Sequence, residues 1–377
     1  MDNIYLYIEN QNDASIGEQK NRYDTPFQKV SNTAYEEIKR ECEKFGINFE
    51  FLTNKQLQPD DIVIVSNITP FNRGPLKTNL IISKNRISNR NSGFRNLGKL
   101  IAKNKDTRFV PYLWESSIAE VCNWDFIKHK KHEFIFTWDT NLINSYPKKY
   151  FLLNLQAGPL EFPTKDISLK KQSFKDRSKF ISTISNAKGL LSNDTGYKAR
   201  VDIANWYGIN RENEFSLFGG GWSDVLSFGD VKRKNSRLPP EIRRNIKNVY
   251  GGTIEHKSSV ISESKFYLCI ENCITQSGYV TEKIFDALIH GAVPIYLGAT
   301  DIQRFIPTDC FIDLRSFNGS IANLHSYLSK MNEDQWNAMV EASNDFLFSE
   351  SSNINRYSPL GIASQLNELN RCLKSYG

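Results

Sequence analysis

A chain of 377 residues, 40% apolar and 24% charged, is long enough for two hydrophobic cores and has the balance of a water-soluble globular protein. Its net charge of +6 is spread along the chain without a zinc-finger, helix-turn-helix or RNP-like signature, which argues against a nucleic-acid partner. An anionic small substrate, or weak attraction to an acidic membrane surface, fits that charge better, and so does a solvated surface with no partner.

In chain order, IYLYIE (4–9) opens as a strand, and Tyr35, Ile38, Cys42 and Phe45 recur at helical steps before Gly46. INFEFL (47–52) and DIVIVS (61–66) follow as strands. Residues 67–96, rich in Asn, Arg, Ser and Gly, have the composition of a long surface loop that contacts ligand. FVPYLW (109–114), an apolar-spaced segment around Ala119–Ile127, EFIFTW (133–138) and YFLLNL (150–155) continue the α/β alternation and close a first domain over 1–160. A stretch dense in Lys and Arg, 161–178, reads as a linker. FISTIS (180–185), a helix around Tyr197–Tyr207 and FSLFG (215–219) then begin a second domain over 179–350. Gly219, Gly220 and Gly221 lack the spacing of a dinucleotide fingerprint and read as a tight turn. Within 351–377, Ser358-Pro359 starts a helix whose Ile362, Leu366, Leu369 and Leu373 form one apolar face, suited to packing back on the first domain.

The six cysteines form no CxxC pair, so reduced thiols are expected rather than a disulfide framework or a zinc site. His129 and His132, in HKKH, have no third ligand nearby and read as a solvated basic face, and no metal site is expected. The first residues lack a basic n-region and a long apolar core, and no stretch approaches the ~20 apolar residues of a membrane span. A cytoplasmic location follows as the expectation, with contact at the inner face of the membrane at most. The Asn-X-Ser/Thr matches at Asn67, Asn193 and Asn318 are then chance.

The most informative stretch is Lys265–Phe317. KFYLCI (265–270) reads as a buried strand, Thr281 stands at an N-cap position, and Ile284, Phe285, Leu288 and Ile289 follow at helical spacing up to Gly291. VPIYLG (293–298) resumes as a strand, giving a βαβ unit with parallel strands. Asn272, Tyr279, Glu282 and Lys283 fall at the strand's carboxyl end or the helix's amino end, where open α/β sheets bind ligands. Lys283 can answer a phosphate, Glu282 can bind vicinal hydroxyls, and Tyr279 can pack or hydrogen-bond. The plainer alternative is an ordinary βαβ unit with a solvated Lys and Glu at its helix start.

Glu271-Asn272, then Tyr279-Val280-Thr281-Glu282-Lys283, then Val293-Pro294 resembles, in order and spacing, the core motif of the α1,3/1,4-fucosyltransferases, glycosyltransferase family 10. The likeness is close over roughly 250–317, patchy upstream, and absent from the first hundred residues. It implies a GT-B architecture, two Rossmann-like domains facing a cleft, in a soluble chain of the bacterial type. It also implies inverting transfer of fucose from GDP-fucose to a hydroxyl of an oligosaccharide or glycolipid acceptor, α1,3 to a GlcNAc- or Glc-type residue, without a required cofactor.

Such a transfer needs a carboxylate base for the acceptor hydroxyl and fixed cations for the departing diphosphate. By resemblance, Lys283 and Arg200 are the cations, with Asn272, Tyr279 and Glu282 as further donor-binding residues. Arg200 lies within a helix that Asp194 or Thr195 can cap, and Lys198 is its nearest substitute. Glu115, after FVPYLW, resembles the family's base, and Asp139 after EFIFTW is the competing carboxylate. Two other readings remain open: the same fold with another nucleotide sugar, and a glycan-binding protein on an inactive transferase scaffold.

Overall fold

A computed structural model describes residues 2–7, 26–52, 56–66, 100–155, 173–187, 193, 195–222, 238–349 and 355–375, with backbone alone for 26–34. The chain divides into two compact units, Met1–Pro159 with Arg356–Gly377, and Leu160–Asn355. The expected surface loop at 67–96 lies outside the described residues.

The first unit runs β1 (Asp2–Tyr7), α1 (Pro26–Lys44), β2 (Ile47–Phe51), β3 (Ile62–Ser66), β4 (Arg108–Tyr112), α2 (Phe126–His129), β5 (Ile135–Thr137), α3 (Thr140–Ser145) and β6 (Tyr150–Leu152). Its strands form one parallel sheet in the order β2-β1-β3-β4-β5-β6. β3 is buried along its whole length, as a continuous Ile/Val run between two covered faces should be. The closing helix (Pro359–Ser375) packs on α1 and β6. Its Ile362, Leu366, Leu369 and Leu373 are all buried, and Ser358 Oγ accepts from Gly361 N at 3.1 Å.

Between β4 and β5 the chain makes only short helical turns. A 3-10 turn (Val121–Trp124) gives way to α2, whose N-cap Asp125 accepts from Ile127 N. HKKH is a solvated basic face at Lys130 and Lys131, but His129 is buried, with Nε2 donating to Asn123 O at 2.7 Å and Nδ1 accepting from Tyr150 Oη at 2.8 Å. The carbonyl on one side fixes the neutral tautomer. Burial pushes the His129 imidazole below its usual value, and pushes His132 down to about 4.

The second unit runs β7 (Lys179–Ile184), α4 (Gly196–Asn210), β8 (Phe215–Phe218), α5 (Pro240–Val249), α6 (Lys257–Ser262), β9 (Ser264–Ile270), α7 (Glu282–Ile289), β10 (Val293–Leu297), β11 (Ile312–Asp313), α8 (Ile321–Lys330) and α9 (Glu333–Phe348). Its parallel sheet, read from the other edge, is β8-β7-β9-β10-β11. This repeats the winding of the first sheet: the first strand's successor lies to one side, and the third and later strands to the other. Strand order therefore reverses between β1 and β3 in one unit and between β7 and β9 in the other, where α/β sheets open a crevice at their carboxyl ends. The end of the expected linker, 173–178, packs on this second core. There Arg177 donates to the carbonyls of Ser264 (2.7 Å) and His290 (3.1 Å) and lies over the Trp336 ring.

Candidate functional site at the carboxyl end of β9

β9 runs buried through its last five residues and delivers Glu271 directly beyond its end, fully buried. A carboxylate there must be fully bonded, and it is. Glu271 Oε1 accepts from Thr281 N at 2.8 Å, and both oxygens take the Thr281 hydroxyl, at 2.9 and 2.7 Å. Lys283 Nζ donates to Glu271 Oε2 at 3.1 Å and to Thr281 Oγ1 at 2.7 Å. Thr281 occupies the N-cap position of α7, yet its side chain makes no capping bond, because the hydroxyl is committed to Glu271. The negative charge favoured at this helix start is thus supplied from within the chain.

From the other side of the strand-order reversal, α4 brings Arg200, itself buried. Its guanidinium donates to the Ile270 carbonyl and to Asn272 Oδ1 (3.3 Å), and lies 5.0 Å from the centre of the Tyr197 ring. α4 can come this close because it starts with glycine. A Cβ on Gly196 would stand 1.7 Å from the Glu271 carbonyl oxygen, while Gly196 N donates to Asn272 O at 3.1 Å. On the β10 side a Cβ on Gly298 would stand 2.5 Å from Glu271 Cγ. Tyr279 is buried in the loop leading to α7, which Asp301 ties down by accepting from Gly278 N at 2.7 Å.

The structure therefore gathers Arg200, Asn272, Tyr279, Glu282 and Lys283 around the end of one strand. Burial draws the Lys283 ammonium downward, but Glu271 and Glu282 outweigh it and hold the group well above its usual value. Burial would raise Glu282, whereas Lys283 and Lys257 keep its carboxyl below the usual range. Glu282 Oε1 lies 3.5 Å from Lys283 Nζ. Burial lowers the Arg200 guanidinium, opposed by Tyr197 and Glu271. Such an arrangement keeps two cations charged in a partly dry crevice, the chemistry needed beside a diphosphate. Lys198 does not share it, being paired with Asp202 on the solvent side of α4.

Sequence reasoning assigned no role to Glu271, though a carboxylate directly after a seven-residue buried strand was the available signal. Arg315 was also overlooked: it donates to the carbonyls of Ile274 (2.8 Å) and Gly298, joining the loops after β9 and β10.

In the first unit, Glu115 lies three residues beyond β4, half-buried, and its carbonyl accepts from Asn123 Nδ2 (3.2 Å) and Trp124 Nε1 (3.3 Å). Asp139 is buried as the N-cap of α3, with Oδ1 accepting from Asn141 N (2.9 Å) and Leu142 N (3.0 Å). Among the described residues no group of three His, Cys, Asp or Glu is placed to hold a metal, and no helix is long and apolar enough to cross a membrane.

Residues 241–340 match the model of the glycosyltransferase family 10 (fucosyltransferase) C-terminal domain. An α-(1,4)-fucosyltransferase of Arabidopsis thaliana is 44% identical over 80 residues, 21% of this chain and 20% of that protein. The match thus spans about a fifth of the relative's length. A crystal structure of an α1,3-fucosyltransferase with GDP superposes at a TM-score of 0.51 with 14% identity, covering 98% of this chain and 91% of that one. The β-glucosyltransferase of phage T4 superposes at 0.50 with 12% identity, covering 98% and 99%. The fold is of the GT-B class.

Proposed function

We propose that this chain, whose residues 241–340 match the glycosyltransferase family 10 C-terminal domain, is a fucosyltransferase that moves fucose from GDP-fucose to a glycan hydroxyl with inversion. The observation carrying this reading is the convergence of Arg200 with Asn272 and Lys283 at the end of β9, the latter two inside the segment that matches the family. Solved relatives named for GDP and α1,3-fucosyl transfer support the donor.

Lys283 and Arg200 meet the charge growing on the departing diphosphate, and Glu282, held ionised beside Lys283, accepts from the ribose hydroxyls. Glu115 takes the proton from the acceptor hydroxyl as its oxygen bonds to the anomeric carbon from the face opposite the departing GDP, so the configuration there inverts. Asp139, whose Oδ1 accepts from Asn141 N and Leu142 N, serves instead to cap α3. With two cations in place the transfer is proposed to need no resident metal, and activity should survive EDTA. The acceptor is proposed to be an oligosaccharide or glycolipid.

Donor turnover across a panel of nucleotide sugars tests the reading. GDP-fucose should be consumed fastest, and faster still with a glycan acceptor present. Preference for a UDP-sugar would keep the fold and overturn the donor, whereas binding without turnover of any donor would favour an inactive scaffold.

A further inference from the structure

The segment between Glu115 and His132 is built inside out. Its polar Asn123 and His129 are buried, at 0% and 2% exposure, while Val121, Phe126 and Ile127 stand at 73%, 55% and 75%. An amphipathic turn normally does the reverse, because burying polar groups needs dedicated partners. Those partners are present. Asn123 donates to the Glu115 carbonyl, and His129 is bonded at both ring nitrogens, to Asn123 O and Tyr150 Oη. The apolar side chains are therefore held outward by a fixed internal frame.

A chain of ring contacts through buried His129 and Tyr150 ties this segment to a further exposed aromatic. Phe126 packs against His129, His129 against Tyr150, and Tyr150 against Tyr146, which is 60% exposed. Four of the eight large hydrophobics exposed among the described residues thus belong to this one region. Basic residues neighbour them along the chain: Lys130, Lys131 and Lys148 are exposed, and Lys149 donates to His132 O at 2.9 Å. Lys128 pairs with Asp125 at 3.5 Å, and Glu120 and Glu133 are the other acids of the segment.

We propose that Val121, Phe126, Ile127 and Tyr146, with the lysines around them, form a docking surface for an anionic lipid bilayer. Exposed aliphatic and aromatic side chains enter the headgroup boundary while lysines meet the lipid phosphates, a two-signal arrangement suited to reversible binding. Charge complementarity selects this occupant. A second copy of the chain would bring its own lysine cluster against this one, since a two-fold interface joins the same patch to itself. The surface begins where Glu115 is anchored, so docking would hold the proposed base near the plane of a lipid-borne acceptor.

The test is co-sedimentation of the full chain with phosphatidylcholine vesicles, with and without roughly one-third phosphatidylglycerol. The parent should bind the anionic vesicles, release them at high salt, and leave pure phosphatidylcholine in solution. Phe126→Ser with Ile127→Ser should weaken binding about tenfold or more, and Lys130→Glu with Lys131→Glu should do the same, both at parental melting temperature. No binding by the parent, or undiminished binding by both variants, overturns the proposal. So does a parental dimer that Phe126→Ser with Ile127→Ser turns into monomers, or an acceptor KM that rises in this variant while vesicle binding stays unchanged. Vesicle binding needs no turnover, so this outcome and that of the fucosyltransferase reading are separate.

Discussion

The carboxyl ends of β9 and β4 belong to two sheets of the same winding, β9 beside its strand-order reversal and β4 one strand beyond its own, and they are built differently. At β9 the charged groups hold one another: Glu271 fixes Thr281 and Lys283, Arg200 fixes the Ile270 carbonyl, and two glycines let the backbones close around them. At β4 the backbone of Glu115 is held by Asn123 and Trp124, while the neighbouring Asp139 serves a helix start. A site for a fixed anion can be preassembled from paired charges. At β4 the Asn123 and Trp124 bonds anchor the main chain of the proposed base.

That contrast is open to mutation. Glu115→Gln keeps the shape but cannot take the proton, and should lower transfer by about 10²- to 10⁴-fold in initial-rate assays. Asp139→Asn should leave the rate near the parent's, because asparagine caps a helix as well as aspartate. If the two variants exchanged outcomes, the base would be Asp139 and the cap incidental.

Next in size is the hub of the other site. Glu271→Ala strands Lys283 and Arg200 without their shared counter-charge, and breaking a buried pair from one side costs about 3–5 kcal/mol. Urea denaturation should show that loss, with Lys283→Met with Glu271→Gln recovering part of it. Equal stability of Glu271→Ala and parent would mean that the network is not what orders the strand end.

The smallest expected effect is on acid stability, and it belongs to the first unit. His129 and His132 both titrate below the usual 6.5 in the fold, His132 at about 4. Below pH 6.5 the unfolded chain takes up protons that the folded chain refuses, so stability falls with pH from there to about 4 and is fully present above that window. His132→Gln should flatten the slope of stability against pH over this range. An unchanged slope would contradict neutral, buried imidazoles.

How much of this was legible in the sequence follows the same division. The β9–α7–β10 unit lies within some thirty contiguous residues, and its strands, helix and cleft-side residues could be placed because strand run, cap position and helical spacing all coincide there. Glu271 was visible as a residue but not as a hub, since its partners become neighbours only when α7 folds back. Gly196 and Gly298 are required by close approaches between distant backbones, which no local pattern announces. Arg177 looked like one more linker charge until its carbonyl partners came from three separate places. α5, α8 and α9 had no counterpart among the sequence expectations, although Ile242, Ile246 and Val249 do follow helical spacing after Pro239-Pro240. HKKH misled for a simple reason. Two lysines flank a histidine that turns inward to a tyrosine and a carbonyl.

The central claim is that the cluster at β9 binds the diphosphate of a guanosine nucleotide, and GDP affinity measures it most directly. Calorimetric titration should show GDP binding to the parent and equally to Glu115→Gln. Lys283→Ala should bind at least about tenfold more weakly, and its turnover at saturating donor should fall by roughly a hundredfold or more. Equal GDP affinity and turnover in Lys283→Ala and parent would contradict the account.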